Sequence, residues 1–443
     1  MTLTNWNGNV TIAAEDAWTS VTSVDQIEAL LAGTKVPLRA LGSRFTYPMQ
    51  LRCPDGTHGI VLDLPGRGVG EVRGDRLLVT GDTLLTDVWR VFADHGLEPA
   101  ACPPVITRQT VAGALATGTH AQGLAGGTFS DAVTGIDLVD GTGTRHWLTP
   151  DDDGFDAAVL NLGCLGVVVA VELQGRPRTD VDCTRFTAPA DALPEHYATW
   201  SRDSVAAKSW WFTEHDVAHT WVAHDGSWAR PASVCGDSGD LDRVVARTRS
   251  QLMTDIGDGG GQTPAARTLE KFLAATDTRG TLQEIFHNGI PAPQLNMEIA
   301  VPLDAVPAAY ARLNELLRSS ATKLHYPVIL RSTGPARGHL SPAHNGPVTY
   351  FGFVAYMTTD GHLTTARPLF DDIQRLLHTL GGWPHWGKYL SPDLLPAPTN
   401  GFAEFRTAVD RFDPDRRFAN DTFYQALGLS DRAAVVSGGR HNG

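Results

Sequence analysis

The chain has 443 residues, 42% hydrophobic and 19% charged, with a formal net charge of −13. That length supports two domains, each with its own core. The acidic balance excludes the basic face that a nucleic acid or an anionic membrane surface requires.

Along the chain, the opening Met1-Thr-Leu-Thr-Asn-Trp6 has neither a basic nor an apolar region, so no signal peptide is expected. Residues 23–32 predict a helix with Ser23 as N-cap. Residues 36–41 predict a short strand leading into Gly42-Ser43-Arg44-Phe45-Thr46, and residues 59–64 a second strand. Residues 76–80, the turn Gly81-Asp82-Thr83 and a helix to about His95 form a strand–turn–helix unit. Residues 133–148 alternate as a hairpin turning at Asp140-Gly141, and 167–173 is a β-branched strand. Beyond about 178, Trp210, Trp211, Phe212 and Trp221 mark aromatic strands, and helical patterns cover 304–319 and 366–380. Leu395-Pro-Ala-Pro398 is expected to be a linker, 402–409 a helix, and 431–443 a disordered tail. No run of 18 apolar residues occurs, so no membrane span is expected.

Four segments carry chemistry. The strand-to-glycine junction at 41–46 suits backbone N–H groups turned toward a phosphate. The stretch Thr110-Val-Ala-Gly113-Ala-Leu-Ala-Thr117-Gly118-Thr119-His120 combines small residues and hydroxyls, which allows close approach of a ligand to backbone. Leu162-Gly163-Cys164-Leu165-Gly166-Val167-Val168 feeds two glycines into a strand, where a flat group has room. Trp383-Pro-His385-Trp-Gly-Lys388 sets a histidine and a lysine between aromatics, a pairing suited to proton transfer or anion stabilisation. Read one at a time, plain turns, a close-packed small-residue helix and a structural histidine are the competing readings of these segments.

Other chemistries lack their motifs. GxGxxG with a downstream acid, GxxxxGK[ST], HExxH and GxSxG are all absent. The five cysteines, Cys53, Cys102, Cys164, Cys183 and Cys235, include no CxxC pair; no disulfide framework or metal site is expected, and a reducing, cytoplasmic setting fits.

Taken in order, the four segments resemble the vanillyl-alcohol-oxidase type of FAD enzymes, within that group the alditol oxidase and sugar-1,4-lactone oxidase branch. Asn5-Trp6-Asn7-Gly8-Asn9 and Asp413-Pro-Asp-Arg-Arg-Phe418-Ala-Asn420 add to the resemblance, which spans nearly the whole chain and is weakest from about 180 to 290. It implies an α+β, two-domain FAD-binding (PCMH-type) fold with an inserted cap of antiparallel sheet plus helices. The FAD domain would comprise 1–178 and a return segment 386–430, with the cap at 179–385. It implies that Ala40, Leu41, Gly42, Ser43, Arg44, Phe45 and Thr46 wrap the pyrophosphate. Val105, Thr110, Gly113, Thr117, Gly118, Thr119, His120, Gly163, Val168 and His385 would line the cofactor. Lys388 would stabilise the reduced flavin, and Arg331, Lys388 and His385 would be the catalytic residues.

The chain departs from the family pattern at several positions. Phe45 falls where the family has the histidine bonded to the flavin, so FAD is expected without a covalent link, and Arg44 falls on a glycine. Cys102 before a proline is the alternative attachment point. The family's Glu-x-Arg reads Ile329-Leu330-Arg331, its serine near the flavin falls on Val105, and its His-x-Thr falls near Gly352-Phe353-Val354. These changes predict a pocket more apolar than one built for a sugar alcohol. The expected function is oxidation of a C–H next to O or N in a small molecule, with O2 or another acceptor reoxidising the flavin. A monomer or small homo-oligomer is expected, with neither nucleic acid nor membrane as partner. The alternatives are a flavin-containing cyclisation or rearrangement without net oxidation, and a degenerate FAD-binding relative.

Overall fold

The computed structural model describes residues 1–429 apart from 7, 9, 54–55, 102–105, 232–233, 235–237, 273–275, 288–291, 360–365 and 396–400. The candidate Val105, the cysteines Cys102 and Cys235, most of the expected linker from 395 and the expected disordered tail 431–443 lie outside the described residues.

Three of the sheets organise the molecule. The first is parallel, with His58–Leu62 between Trp18–Val21 and Leu38–Leu41. The helix Val24–Gly33 makes the crossover, and the Ser23 side chain accepts a hydrogen bond from the Gln26 N–H, as its N-cap position predicts. Ile27 and Leu31, four apart on one helix face, bury against Leu38 and Ile60 of this sheet. The second sheet is antiparallel and runs Arg145–Leu148, Val133–Asp140, Gly166–Pro177, Arg76–Thr80 and Glu71–Arg73, with Leu97–Pro99 pairing on Gly166–Pro177. The hairpin expected at 133–148 forms with Asp140 at its turn; its carboxylate accepts from the Thr142 and Thr144 N–H groups.

The third sheet is an eight-stranded antiparallel one, ordered Thr278–Gly280, Val181–Pro189, Val217–His224, Ala206–Phe212, Val328–Thr333, Val348–Tyr356, Gln294–Pro302 and Trp383–Pro384. Successive side chains of a strand point to opposite faces, and here the two faces differ in chemistry. Trp211, Met297, Ile299, Val328, Leu330, Phe351 and Phe353 form one core with the helices Leu193–Arg202, Val306–Ser319 and Arg367–His378. Each such fully buried apolar side chain contributes about 1.5–3 kcal/mol. The opposite face carries Lys208, Trp210, Glu298 and Arg331, all 6% exposed or less.

The chain then returns to the second sheet. Phe402–Phe412 and Asp421–Ala426 pack Phe402, Phe405, Phe412 and Phe423 into the core of the second sheet. Between these helices, both Asp413 oxygens accept backbone N–H groups, from Arg417 and Phe418. The Leu38 N–H donates to the Arg417 carbonyl at 2.6 Å, which ties this return segment to the parallel sheet.

Candidate active site

The loop after Leu38–Leu41 opens onto a cavity of about 370 Å³ lined by Ala40, Leu41, Gly42, Ser43, Arg44 and Phe45, by Thr110 and Gly113, and by Gly163 and Val168. An adjoining space of about 80 Å³ adds Thr46, Thr117, Phe418, Asn420 and Phe423. Thr110 caps the helix Val111–Ala116 by accepting from the Gly113 N–H at 3.2 Å. A Cβ at Gly42 would lie 2.3 Å from Thr110 Oγ1, so glycine is what lets the loop lie against the helix. Arg44 has φ 60°, a left-handed conformation that costs a non-glycine residue about 1 kcal/mol or more, and its Nε donates to the Thr4 carbonyl at 2.6 Å. Phe45 stacks on Trp6 with ring centroids 5.3 Å apart.

This cavity fits FAD by its donor set. Arg44, Arg67 and Arg108 all line it, offering guanidinium groups suited to a pyrophosphate, while small residues and hydroxyls form its walls. Arg67 and Arg108 stand in segments with no recognisable motif, and reading the sequence missed them.

The segment around Lys388 is fastened to the same loop. The Tyr47 N–H donates to the Gly387 carbonyl at 3.0 Å, and Gln50 Nε2 donates to the Lys388 carbonyl at 3.1 Å. A Cβ at Gly387 would lie 3.0 Å from Thr117 Oγ1, so this turn rests directly on the end of the helix Val111–Ala116. Gly118, at φ 68°, turns the chain out of that helix; the Thr119 hydroxyl donates to Gln109 Oε1. Gly123 then bridges to the strand carrying Arg331, its N–H donating to the Ser332 carbonyl at 2.8 Å.

At this seam His120, His385, Lys388 and Arg331 converge on one group that the sequence reading did not select: the carboxylate of Glu298. Arg331 Nη2 binds Glu298 Oε1. On the other oxygen, His120 Nε2 lies 3.3 Å away, off the line of a hydrogen bond, and Lys388 Nζ lies 3.6 Å away. Ile329 does lack the family's carboxylate, but the expectation that the carboxylate is gone from Arg331 is corrected: Glu298 supplies one from a different strand. The signal was present, since Glu298 is the one acid of Gln294–Pro302, on the face opposite Met297 and Ile299.

Charge at the site follows from burial. Burial opposes ionisation of Glu298, but Arg331 first, then His120 and Lys388, outweigh it and hold the carboxyl well below its ordinary range. Burial pushes His120 down to about 4 and His385 well below the usual histidine value, so both rings are neutral near pH 7. The Gly387 N–H donates to His385 Nδ1 at 2.9 Å, which puts the proton of the neutral ring on Nε2 and makes that atom a donor. His120 stacks on Tyr350 with centroids 3.5 Å apart, which fixes its plane. His120, Glu298 and His385 bring three metal-type donor atoms within 4.8 Å of one another. Arg331 and Lys388 already neutralise the carboxylate, however, so the set is better matched to its own cations than to a metal ion.

Comparison with known proteins agrees with this architecture. Residues 16–149 match the family described as FAD binding domain, and residues 171–426 match the family described as D-arabinono-1,4-lactone oxidase. Among curated relatives, alditol oxidase of a Streptomyces species is 26% identical, over 96% of this chain and 98% of its own. L-gulono-1,4-lactone dehydrogenase of Mycobacterium tuberculosis is 25% identical over 96% of this chain and 98% of its own. Of solved structures, a solvent-stable cholesterol oxidase superposes with TM-score 0.70 at 15% identity, covering 97% of each chain. Cholesterol oxidase from B. sterolicum gives 0.72 at 14%, covering 96% of each; at these identities the likeness bears on the fold alone.

The fold and site therefore define an FAD-dependent oxidoreductase of the two-domain, PCMH-type architecture. Within that class, the chain belongs to the D-arabinono-1,4-lactone oxidase family, in the branch of alditol and sugar-lactone oxidases and dehydrogenases. Among the described residues, no helix is long and apolar enough to cross a membrane.

Proposed function

We propose that this enzyme oxidises a C–H bond next to oxygen or nitrogen in a small molecule, with FAD held non-covalently beside Phe45. The observation that carries this reading is the buried Glu298–Arg331–Lys388 group, set at the seam between the cofactor cavity and the eight-stranded sheet. On this reading residues 1–178 and 386–430 form the cofactor domain and 179–385 the cap. When bound, FAD would supply the hydride acceptor for the substrate carbon, with O2 or another acceptor taking up the electrons afterwards.

The protein's own groups do the rest. Arg44, Arg67 and Arg108 would hold the pyrophosphate, and the loop 40–46 with Thr110, Gly113 and Thr117 would wrap the cofactor. Lys388 brings a cation toward the charge that reduction creates. Arg331 occupies Oε1 of Glu298, which leaves Oε2 to accept a hydrogen bond from the substrate's O–H or N–H. A carboxylate held so strongly ionised is a weak base, yet it suffices. As hydride leaves, a hydroxyl becomes a protonated carbonyl, which is strongly acidic, and its proton passes to Glu298. His385, with its proton on Nε2, acts as a donor that orients the substrate rather than as a base.

Ile329, Gly352 and Val354 share the sheet face with Glu298 and offer nothing that matches a row of hydroxyls. This supports a substrate bulkier and less hydroxylated than a sugar alcohol. The test is anaerobic reduction of the yellow holoenzyme by a panel of secondary alcohols, lactols and amines. Bleaching by one class identifies the substrate chemistry. Turnover of a substrate with no bleaching and no acceptor consumption would replace oxidation with rearrangement.

A further inference from the structure

Lys208 stands directly opposite Arg331 in the register of the strands Ala206–Phe212 and Val328–Thr333. The two side chains share a sheet face and are 2% and 6% exposed. Like charges opposite each other on one face repel, and buried cations are normally paired. Lys208 has no hydrogen-bond or ion-pair partner among the described residues; its ammonium lies 4.8 Å from the centre of the Trp210 ring. Lys271 flanks the same ring at 5.1 Å. Arg331 Nε is buried without a partner. The acid that faces this group is Glu298, which Arg331 and Lys388 already share. Among the described residues, Lys208 and Lys271 thus flank the Trp210 ring while Arg331 and Lys388 hold Glu298, so this face buries more basic groups than acidic ones.

We propose that the molecule oxidised here carries a carboxylate, received between Lys208 and Arg331 while its reacting carbon faces the cofactor. The proposal rests on the oxidoreductase reading above and names the substrate class that reading leaves open. A carboxylate supplies the charge the cluster lacks and matches the flat fork of a guanidinium. Without an anion, burial first, then Lys271 and Arg331, drive the Lys208 amine well below its ordinary range, with Lys388 adding to this and Glu298 opposing it. Lys271 is pushed down to about 7 by burial. Carboxylate binding therefore draws a proton onto the lysines.

The experiment is calorimetric titration of the FAD-saturated protein with acetate, benzoate and 4-phenylbutyrate, each against its neutral amide, in buffers of differing ionisation enthalpy. At least one acid is expected to bind about tenfold or more tighter than its amide, with proton uptake near pH 8. Lys208→Met should abolish the preference and lower the proton uptake, and Lys208→Arg should restore the preference. Amides that bind as tightly as the acids, no binding by any acid, or a Lys208→Met protein that keeps the preference would each overturn the proposal. If Lys208→Met does not fold, the wild-type acid–amide comparison decides. Failure of the flavoenzyme reading is separate: it shows earlier, as a protein that takes up no FAD.

Discussion

Glu298 reaches Arg331 across an intervening strand, on which Gly352 stands opposite Glu298 and Tyr350 opposite Arg331. Gly352 is in register with both Glu298 and Ile329. A Cβ there would come within 3.6 Å of Glu298 Oε1 and 3.4 Å of Ile329 Cβ. These are ordinary contact distances; the carboxylate passes beside Gly352 and takes the partner role that Ile329 cannot fill.

Replacing Glu298 by Gln keeps the shape but removes the charge and the proton acceptor. The expected result is a fall in kcat of about 10²–10⁴ with FAD still bound, read by anaerobic flavin reduction. A rate within a few-fold of wild type would remove Glu298 from catalysis.

FAD should leave the protein on acid precipitation and remain in the supernatant, because Phe45 offers no nucleophile and is engaged in its stack on Trp6. Colour retained in the pellet would mean a covalent link elsewhere in the chain. Gly42→Val should lower FAD content sharply, since its side chain would be driven into Thr110 Oγ1.

Lys388→Met should make the flavin harder to reduce. Its midpoint potential should fall, with KM changed less than the rate of reduction, because the cation acts on charge that appears only on reduction. An unchanged potential would leave Lys388 as a partner of Glu298 and nothing more.

Acid should unfold the protein through its buried histidines. Burial chiefly lowers His120 to about 4 and His219 to about 3, and holds His385 well below its ordinary value. Above pH 6.5 both folded and unfolded chains keep these rings neutral. As pH falls below 6.5 the unfolded chain takes up protons that the folded chain refuses until near pH 4, so stability drops through that window. Thermal unfolding at pH 5.5 should take up about two protons or more, the three histidines outweighing the proton that buried Asp413, raised to about 6, gives up, measurable by calorimetry in two buffers. Uptake near zero would show that the rings titrate freely in the folded state.

What the sequence disclosed was local. Ser23 announced a helix because an N-cap works over three residues, and Asp140-Gly141 announced a hairpin because alternation and turn lie side by side. The glycine and hydroxyl segments at 41–46 and 110–120 were legible because close approach to a ligand demands small residues in a run. Glu298 and Lys208 were not legible. Each is the one charged residue of its strand, and its meaning depends on Gly352 and Arg331, which the fold brings alongside from distant parts of the chain. The cavity arginines Arg67 and Arg108 escaped for the same reason.

The cavity beside the loop 40–46 is finished by its most C-terminal walls. Phe418, Asn420 and Phe423 line the space beside Gly42 and Ser43, and the Asn420 side chain donates to the Gln50 carbonyl at 2.9 Å. A ribosome releases residues 40–46 long before it makes residue 418. The nascent chain therefore holds an unfinished cavity throughout translation, and on the reading proposed above FAD would be locked in only after synthesis has passed residue 423. Flavin supply then acts on a completed polypeptide waiting to close, and starvation for the vitamin should leave a pool of full-length, protease-sensitive apoprotein rather than truncated chains.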